Sequence, residues 1–598
     1  MLKKKINKLI LIFFILVLGL ALSNAEIMPL KDVKIGMKGK GKTAVEGNKI
    51  IEFDVEIISV LKNVFPKKSI IIARLGGEDM ERAGISQGMS GSPVYIDNKL
   101  IGAVAYSFPF SKEAVAGITP VEDMMESDNS ATDAGFISSN FNYHGLMKFI
   151  SSLGDYKGSE ELLSDFMNNF SISAGSNESN LLKPVPILLY KGMKPFSSVY
   201  EQWWRERGFI PIMAAGGAAD IKVDSIKEGN AIGVVFLSGD LEIGGIGTVT
   251  YVDKNRIYAF GHPMFNLGNI ALPMAEAEIQ AVIPNMYSSF KIGNIGKTIG
   301  TFKQDLSSAV FGFLNEEPPL IPMKLKINTG KSTKDYNFKL AEHNLLTPLI
   351  ANIALNESFG STELNYYEGT YEVSGTIEID GYQNITIDNI FAGFLSIDQS
   401  TTYIASIIGY MLNNEFDKIK VKSIDLSANI DQEQRIAEIK QIKYDKSDVK
   451  RGDKIRLEIL LKPYLKEAKI YNYDIDISAK LRKGMYYVYV GGAMDLNKID
   501  YESYYNMISI DNLKQVIKLI NSIKKNNKIY IRVVRPSTSI IVKNRLLNNM
   551  PPSHFDIVFS SQTVGEVNRI WMEPVLEDSI DSNYMIKGMK SFVLNVKD

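Results

Sequence analysis

The sequence predicts a mainly β fold, and three observations carry that expectation. Residues 49–106 break into short apolar runs separated by turn residues. A second set of the same kind spans 244–263. Beyond residue 330, alternating apolar and polar residues recur in segments punctuated by glycine. At 598 residues the chain has material for several cores, and its hydrophobic (45%) and charged (23%) fractions are those of a globular protein.

The first element is an export leader. Lys3, Lys4, Lys5 and Lys8 precede the apolar run Leu9 to Leu22, which ends in Ser23-Asn24-Ala25. Small residues at the two positions a signal peptidase tests predict cleavage after Ala25. The apolar run is 14 residues, short for a membrane span, and an uncleaved anchor is the alternative. Loss of the four lysines takes the formal net charge from −1 to −5, which gives no basic footprint for nucleic acid.

Cysteine is absent, which excludes disulfides, a thiol nucleophile, a thiolate metal site and a lipidated cysteine. The four histidines (His144, His262, His343, His554) are scattered, without a His-x-x-x-His pair, so no metal or other cofactor is expected.

Gly36-Met37-Lys38-Gly39-Lys40-Gly41-Lys42-Thr43 satisfies the phosphate-binding loop pattern literally. A working loop of that kind follows a buried strand and opens a helix. Here the lead-in Leu30 to Ile35 is weak, and Ile51-Glu52-Phe53-Asp54-Val55-Glu56-Ile57 alternates as a half-buried strand. Nucleotide is therefore not expected as a partner.

Ile51, Phe53, Val55 and Ile57 point to one face, Ser69 to Ala73 is a compact apolar run, and Val94 to Ile96 and Leu100 to Ala105 flank an Asp97-Asn98-Lys99 turn. Gly88-Met89-Ser90-Gly91-Ser92-Pro93 thus falls at the mouth of a small β-barrel or sandwich. Small neighbours let a carbonyl approach Ser90, and free backbone N–H groups can face a developing oxyanion. This placement suits a chymotrypsin-like nucleophile, with Gly88 and Ser90 offering their N–H groups. Gly/Ser/Pro clusters are also ordinary turn chemistry.

Between 126 and 230, Ser127 to Asp133 reads as a loop, while Tyr143 to Phe170 and Tyr200 to Arg207 have helical spacing. His144 falls in the first helical region as a packed or surface histidine. Gly244 to Tyr251, an Asp253-Lys254-Asn255 turn and a strand to Phe260 then deliver His262 between Gly261 and Pro263. A rigid turn that leaves one ring nitrogen exposed is a mount for a general base, and equally the place of a turn histidine.

Gly36-Met37-Lys38-Gly39, Phe53-Asp54-Val55-Glu56, Gly88 to Pro93, Leu100-Ile101-Gly102-Ala103 and Gly117-Ile118-Thr119-Pro120 together resemble the peptidase domain of the SpoIVB serine peptidase family. The resemblance implies a serine peptidase acting on protein or peptide substrates, with Ser90 in the nucleophile motif. The Gly-His motif that follows a Gly-Thr-x-Thr strand implies His262 as the catalytic histidine. The order differs from the sporulation enzyme, because here Ser90 precedes His262 by 172 residues. One site can still form, since a triad is defined by geometry.

Downstream, Gly300 to Asp305 leads to Val310-Phe311-Gly312, with a carboxylate at a turn. Asp305 could accept the far imidazole N–H as third member of a triad. Asp79, 11 residues before Ser90, is the competitor, and a dyad without an acid is a third arrangement.

The fold class expected is a chymotrypsin-like pair of small β-barrel modules, an immunoglobulin-like β-sandwich and a C-terminal α+β module. The boundaries are 1–25 signal peptide, 26–125 serine-bearing module, 126–230 connecting region, 231–330 histidine-bearing module, 331–418 β-rich extension, 419–483 sandwich and 484–598 α+β module. In the last, Asp511 is placed to cap a helix whose apolar face is Leu513, Val516, Ile517, Ile520 and Ile523. The function expected is an exported serine endopeptidase, periplasmic or extracellular. The alternative is a catalytically inactive protein of the same fold that acts as a cell-envelope binding or structural protein, contacting other envelope proteins or glycans.

Overall fold

The computed structural model describes residues 26–597 except 66–67, 109, 127–142, 170–182, 215–224, 362–367, 480, 504–509, 543–544, 548–549 and 561–566. The leader and the Ser127 to Asp133 loop lie outside the described residues.

Six strands form the first barrel: β1 (Lys38–Glu46), β2 (Lys49–Phe65), β3 (Lys68–Gly76), β4 (Pro93–Ile96), β5 (Lys99–Ser107) and β6 (Val115–Pro120). The order β4-β1-β2-β3-β6-β5 closes through a β4–β5 pairing, all antiparallel. The alternation read from sequence is what fills it, with Phe53, Val55 and Ile57 buried beside Ile71, Leu75, Val94, Val104 and Ile118. The glycines of the apparent phosphate loop serve this closure. A Cβ on Gly39 would stand 2.0 Å from the Tyr95 carbonyl oxygen, and one on Gly41 2.1 Å from the Phe53 ring. Only glycine lets β1 run this close to its neighbours.

After β7 (Lys183–Pro184), β8 (Ile187–Lys191) and β9 (Ile210–Met213) comes a second barrel. Its strands are β10 (Ala231–Gly239), β11 (Glu242–Asp253), β12 (Arg256–Ala259), β13 (Gly268–Ile283), β14 (Phe290–Leu306) and β15 (Ala309–Leu314). The ring β10-β13-β14-β15-β12-β11 closes through β10–β11, again antiparallel throughout. The pair of barrels is the chymotrypsin-like architecture expected from sequence. The second barrel does not end at its ring. Through β10 it continues into 333–341, 320–328, 421–431, 369–379 and 385–393, and through β11 into β8 and β9, making one 13-stranded sheet.

Two helices, Leu346–Gly360 and Ser396–Leu412, pack on each other within the stretch read as β-rich. Both are buried on nearly every side. A helix without a solvent face carries no amphipathic period, so the pattern gave no sign of it. The helices Tyr143–Ser152, Ser159–Asn168 and Ser198–Glu206 form where helical spacing was read.

The sandwich begins at Ile436 rather than 419, since 421–431 pairs into the large sheet. Its second face comes from the segment read as a separate α+β module. Ile439, Ile455, Leu457, Ile459 and Ile475 on one sheet share a core with Val488, Ile529, Ile531, Leu594 and Val596 on the other. The helix Leu513–Ile520 buries Leu513, Val516, Ile517 and Ile520 as expected. Its cap is Asn512, whose Oδ1 accepts the Gln515 N–H at 3.1 Å, not Asp511.

Candidate active site

The serine turn is held by both barrels. Gly88 and Gly91 take φ of 90° and 92°, left-handed backbone that glycine supplies without strain. Within the first barrel, Gly91 N donates to Val104 O (2.7 Å) and Val104 N to Ser92 O (2.9 Å). From the second barrel, Thr248 N donates to Ser90 O at 2.7 Å. The Thr248 hydroxyl donates to Gly88 O (3.2 Å) and the Thr250 hydroxyl to Gly91 O (2.8 Å). The two threonines of Gly247-Thr248-Val249-Thr250 therefore clasp the turn. A Cβ on Gly91 would lie 2.0 Å from Thr248 O.

The histidine turn lands on the same strand. Phe260 and Gly261 both have φ of 69°, a left-handed pair in which the bulky Phe260 is strained. A Cβ on Gly261 would lie 3.2 and 3.3 Å from the Cβ atoms of Ala103 and Ala105, and the Thr119 hydroxyl donates to Gly261 O at 2.6 Å. Gly91 bonds Val104 while Gly261 packs on its two neighbours, so β5 brings the Ser90 and His262 turns together.

Ser90 and His262 are each 0% exposed, and neither Ser90 Oγ nor His262 Nε2 has a hydrogen-bond partner among the described protein atoms. His262 Nδ1 is 2.7 Å from the Pro263 carbonyl oxygen. A carbonyl only accepts, so the proton sits on Nδ1 and the Nε2 lone pair is bare. Burial pushes the imidazole down to about 4, against a smaller upward pull from Pro263 O, and it is neutral at pH 7.

Asp305 does not make the bond expected of a third triad member. Its Oδ1 accepts from Met264 N (2.6 Å), and its Oδ2 from Phe265 N (2.7 Å) and Leu267 N (3.2 Å). Both oxygens thus hold the loop that follows His262. Burial raises the carboxyl to about 6 even though these amides favour its charge. Asp79 sits on the surface helix Glu78–Ala83, 3.6 Å from Arg82. His144 packs edge-on against Tyr143 on its helix.

Residues 21–125 match the family model of SpoIVB peptidase S55. The match covers the first barrel and Ser90, and ends before His262. No curated protein and no solved structure matches the chain.

Alongside the matched segment lie groups that sequence reading passed over. Lys291 on β14 is 2% exposed, and its Nζ donates to Thr43 Oγ1 at 2.8 Å. The Ser92 hydroxyl donates to the same oxygen at 2.9 Å. Burial alone pushes Lys291 down to about 7. Its backbone N–H donates to Gln87 O at 3.1 Å and so fixes the peptide that carries the Gly88 N–H. A lysine in a strand leaves no pattern by which sequence could have singled it out. Above the turns opens a cleft of about 1180 Å³, lined among others by Gln87, Tyr106, Pro184, Phe209, Met264 and Tyr287. It reaches Gln87 at the start of the serine turn and Pro263 beside His262, not Ser90 or His262 themselves.

Proposed function

We propose that the chain is an exported serine endopeptidase in which Ser90 is the nucleophile and His262 the general base. The observation that carries this reading is the convergence of two turns from different barrels on β5. One bears a hydroxyl, and the other bears an imidazole whose tautomer is fixed with Nε2 bare. The S55 match over the serine-bearing barrel supports the same chemistry.

In the proposed reaction Ser90 Oγ attacks the peptide carbonyl carbon as its proton passes to His262 Nε2, and the Gly88 and Ser90 N–H groups receive the oxyanion. Collapse breaks the C–N bond, the imidazolium returns the proton to the leaving amine, and water repeats the sequence on the acyl-enzyme. Pro263 O plays the part an aspartate has elsewhere, holding Nδ1–H. Asp305 is a positioning residue that fixes the 264–267 loop. The leader Lys3 to Ala25 supports export, which places substrate and any partner in the cell envelope or outside the cell.

A second reading has its own observation. Ser90 and His262 are wholly buried, as suits a peptidase fold kept as a binding protein. Hydrolysis of an unfolded protein such as casein separates the two. The proposal expects cleavage that is lost in Ser90→Ala and in His262→Ala, each still folded. Cleavage persisting in both variants overturns it.

A further inference from the structure

The Gly88 N–H, assigned above to the oxyanion, donates to the carbonyl oxygen of Val185 at 2.9 Å. That is the distance an oxyanion-hole donor keeps from its oxygen. Just upstream, Lys183 and Pro184 pair antiparallel with Ser107 and Tyr106 on β5, in the manner of a peptide added to a sheet edge. Ile187 then enters β8, opposite Ile246 of β11. An extended segment thus runs past the serine turn, with one carbonyl on the first of the two amides assigned to the oxyanion.

We infer that Lys183–Ile187 is a built-in pseudosubstrate, and that the groove it fills is the site for an extended peptide ligand. The inference rests on the peptidase reading of Ser90. Three features fit a segment that occupies such a site without being consumed. The seated carbonyl belongs to the bond Val185–Pro186, whose nitrogen bears no hydrogen and whose ring fixes the backbone on the leaving side. Both flanks are held by strand pairing, so a freshly cut amine would stay at high effective concentration beside the acyl group. Val185 is 0% exposed, so the segment is held inside the fold rather than on its surface. Lys183 and Pro184 also line the cleft, so a competing peptide has an approach from solvent at that end.

The test uses the full mature chain and the variant Val185→Gly, which removes the buried side chain that seats the segment. Two quantities are read. One is the rate of fluorophosphonate labelling at Ser90. The other is the anisotropy of a fluorescein-tagged Lys-Pro-Val-Pro-Ile peptide. Loss of the valine is expected to raise the open fraction, and with it labelling rate and peptide affinity, by about tenfold or more. Peptide should in turn slow labelling.

Equal labelling at Ser90 in both proteins overturns the pseudosubstrate and leaves the peptidase standing. Peptide binding gained in Val185→Gly with no labelling anywhere keeps the groove and overturns the peptidase. Neither labelling nor binding in a variant of native melting overturns the inference itself. Should Val185→Gly not fold, the smaller truncation Val185→Ala takes its place, and the same outcomes apply.

Discussion

The Nδ1 of His262 donates to the carbonyl oxygen of Pro263, its own chain neighbour, at 2.7 Å. A main-chain oxygen thereby fixes the tautomer that a carboxylate fixes in a Ser-His-Asp triad, and in the proposed reaction Nε2 is left to accept a proton. It adds no negative charge to stabilise the imidazolium.

Asp305→Asn therefore separates this arrangement from a triad. In a triad the amide forces the wrong tautomer and costs about 10⁴ in rate. Here the change turns one carboxylate oxygen into an amide group facing backbone N–H donors. It should cost about 2–3 kcal/mol of stability, while the labelling rate of the folded fraction falls less than about tenfold. Thermal melting and labelling kinetics on the same sample check both halves.

The protonation of His262 makes stability fall on acidification. Unfolded, the ring takes up a proton near its ordinary value of 6.5; folded, it does so only near 4. The unfolded chain binds more protons between these values, so this contribution is whole above pH 6.5 and drains away as pH falls to about 4. Its size is of the order of 3 kcal/mol. The slope of melting temperature against pH between 6.5 and 4 should be shallower in His262→Ala than in the wild type.

Lys291 carries the same sign in a higher window. Its folded value is about 7 against 10.5 unfolded, so stability rises with pH across that span and the cost of the buried ammonium is full below 7. Lys291→Met escapes that cost. Its melting temperature relative to wild type should be highest below pH 7 and should decline steadily towards pH 10.

Gly91→Ala should prevent the two barrels from docking. The new methyl group meets the Thr248 oxygen at 2.0 Å, a backbone atom that also belongs to β11. Loss of several kcal/mol is expected from this clash together with the left-handed φ. Soluble yield and melting temperature, set against the milder Gly261→Ala, measure it.

Much of this was legible in the sequence because the barrels obey simple periodicity. Phe53, Val55 and Ile57 alternate into one core, and Gly88 to Pro93 carries a turn signal no helix or strand would tolerate. The pairing of Asp305 was not legible: a carboxylate at a turn can reach an imidazole or the amides of a loop, and only the path of 264–267 decides. The buried helices Leu346–Gly360 and Ser396–Leu412 lack a polar face to betray them. Val185 and Lys291 owe their places to packing between segments about 100 residues apart or more, which local pattern does not encode.

The most direct test of the central claim is fluorophosphonate labelling with mapping of the modified residue in wild type, Ser90→Ala and His262→Ala, each with and without Val185→Gly. The account predicts label on Ser90, faster with Val185→Gly and lost when His262 is removed. A folded Val185→Gly protein that takes no label at Ser90, or labelling indifferent to His262, would contradict it.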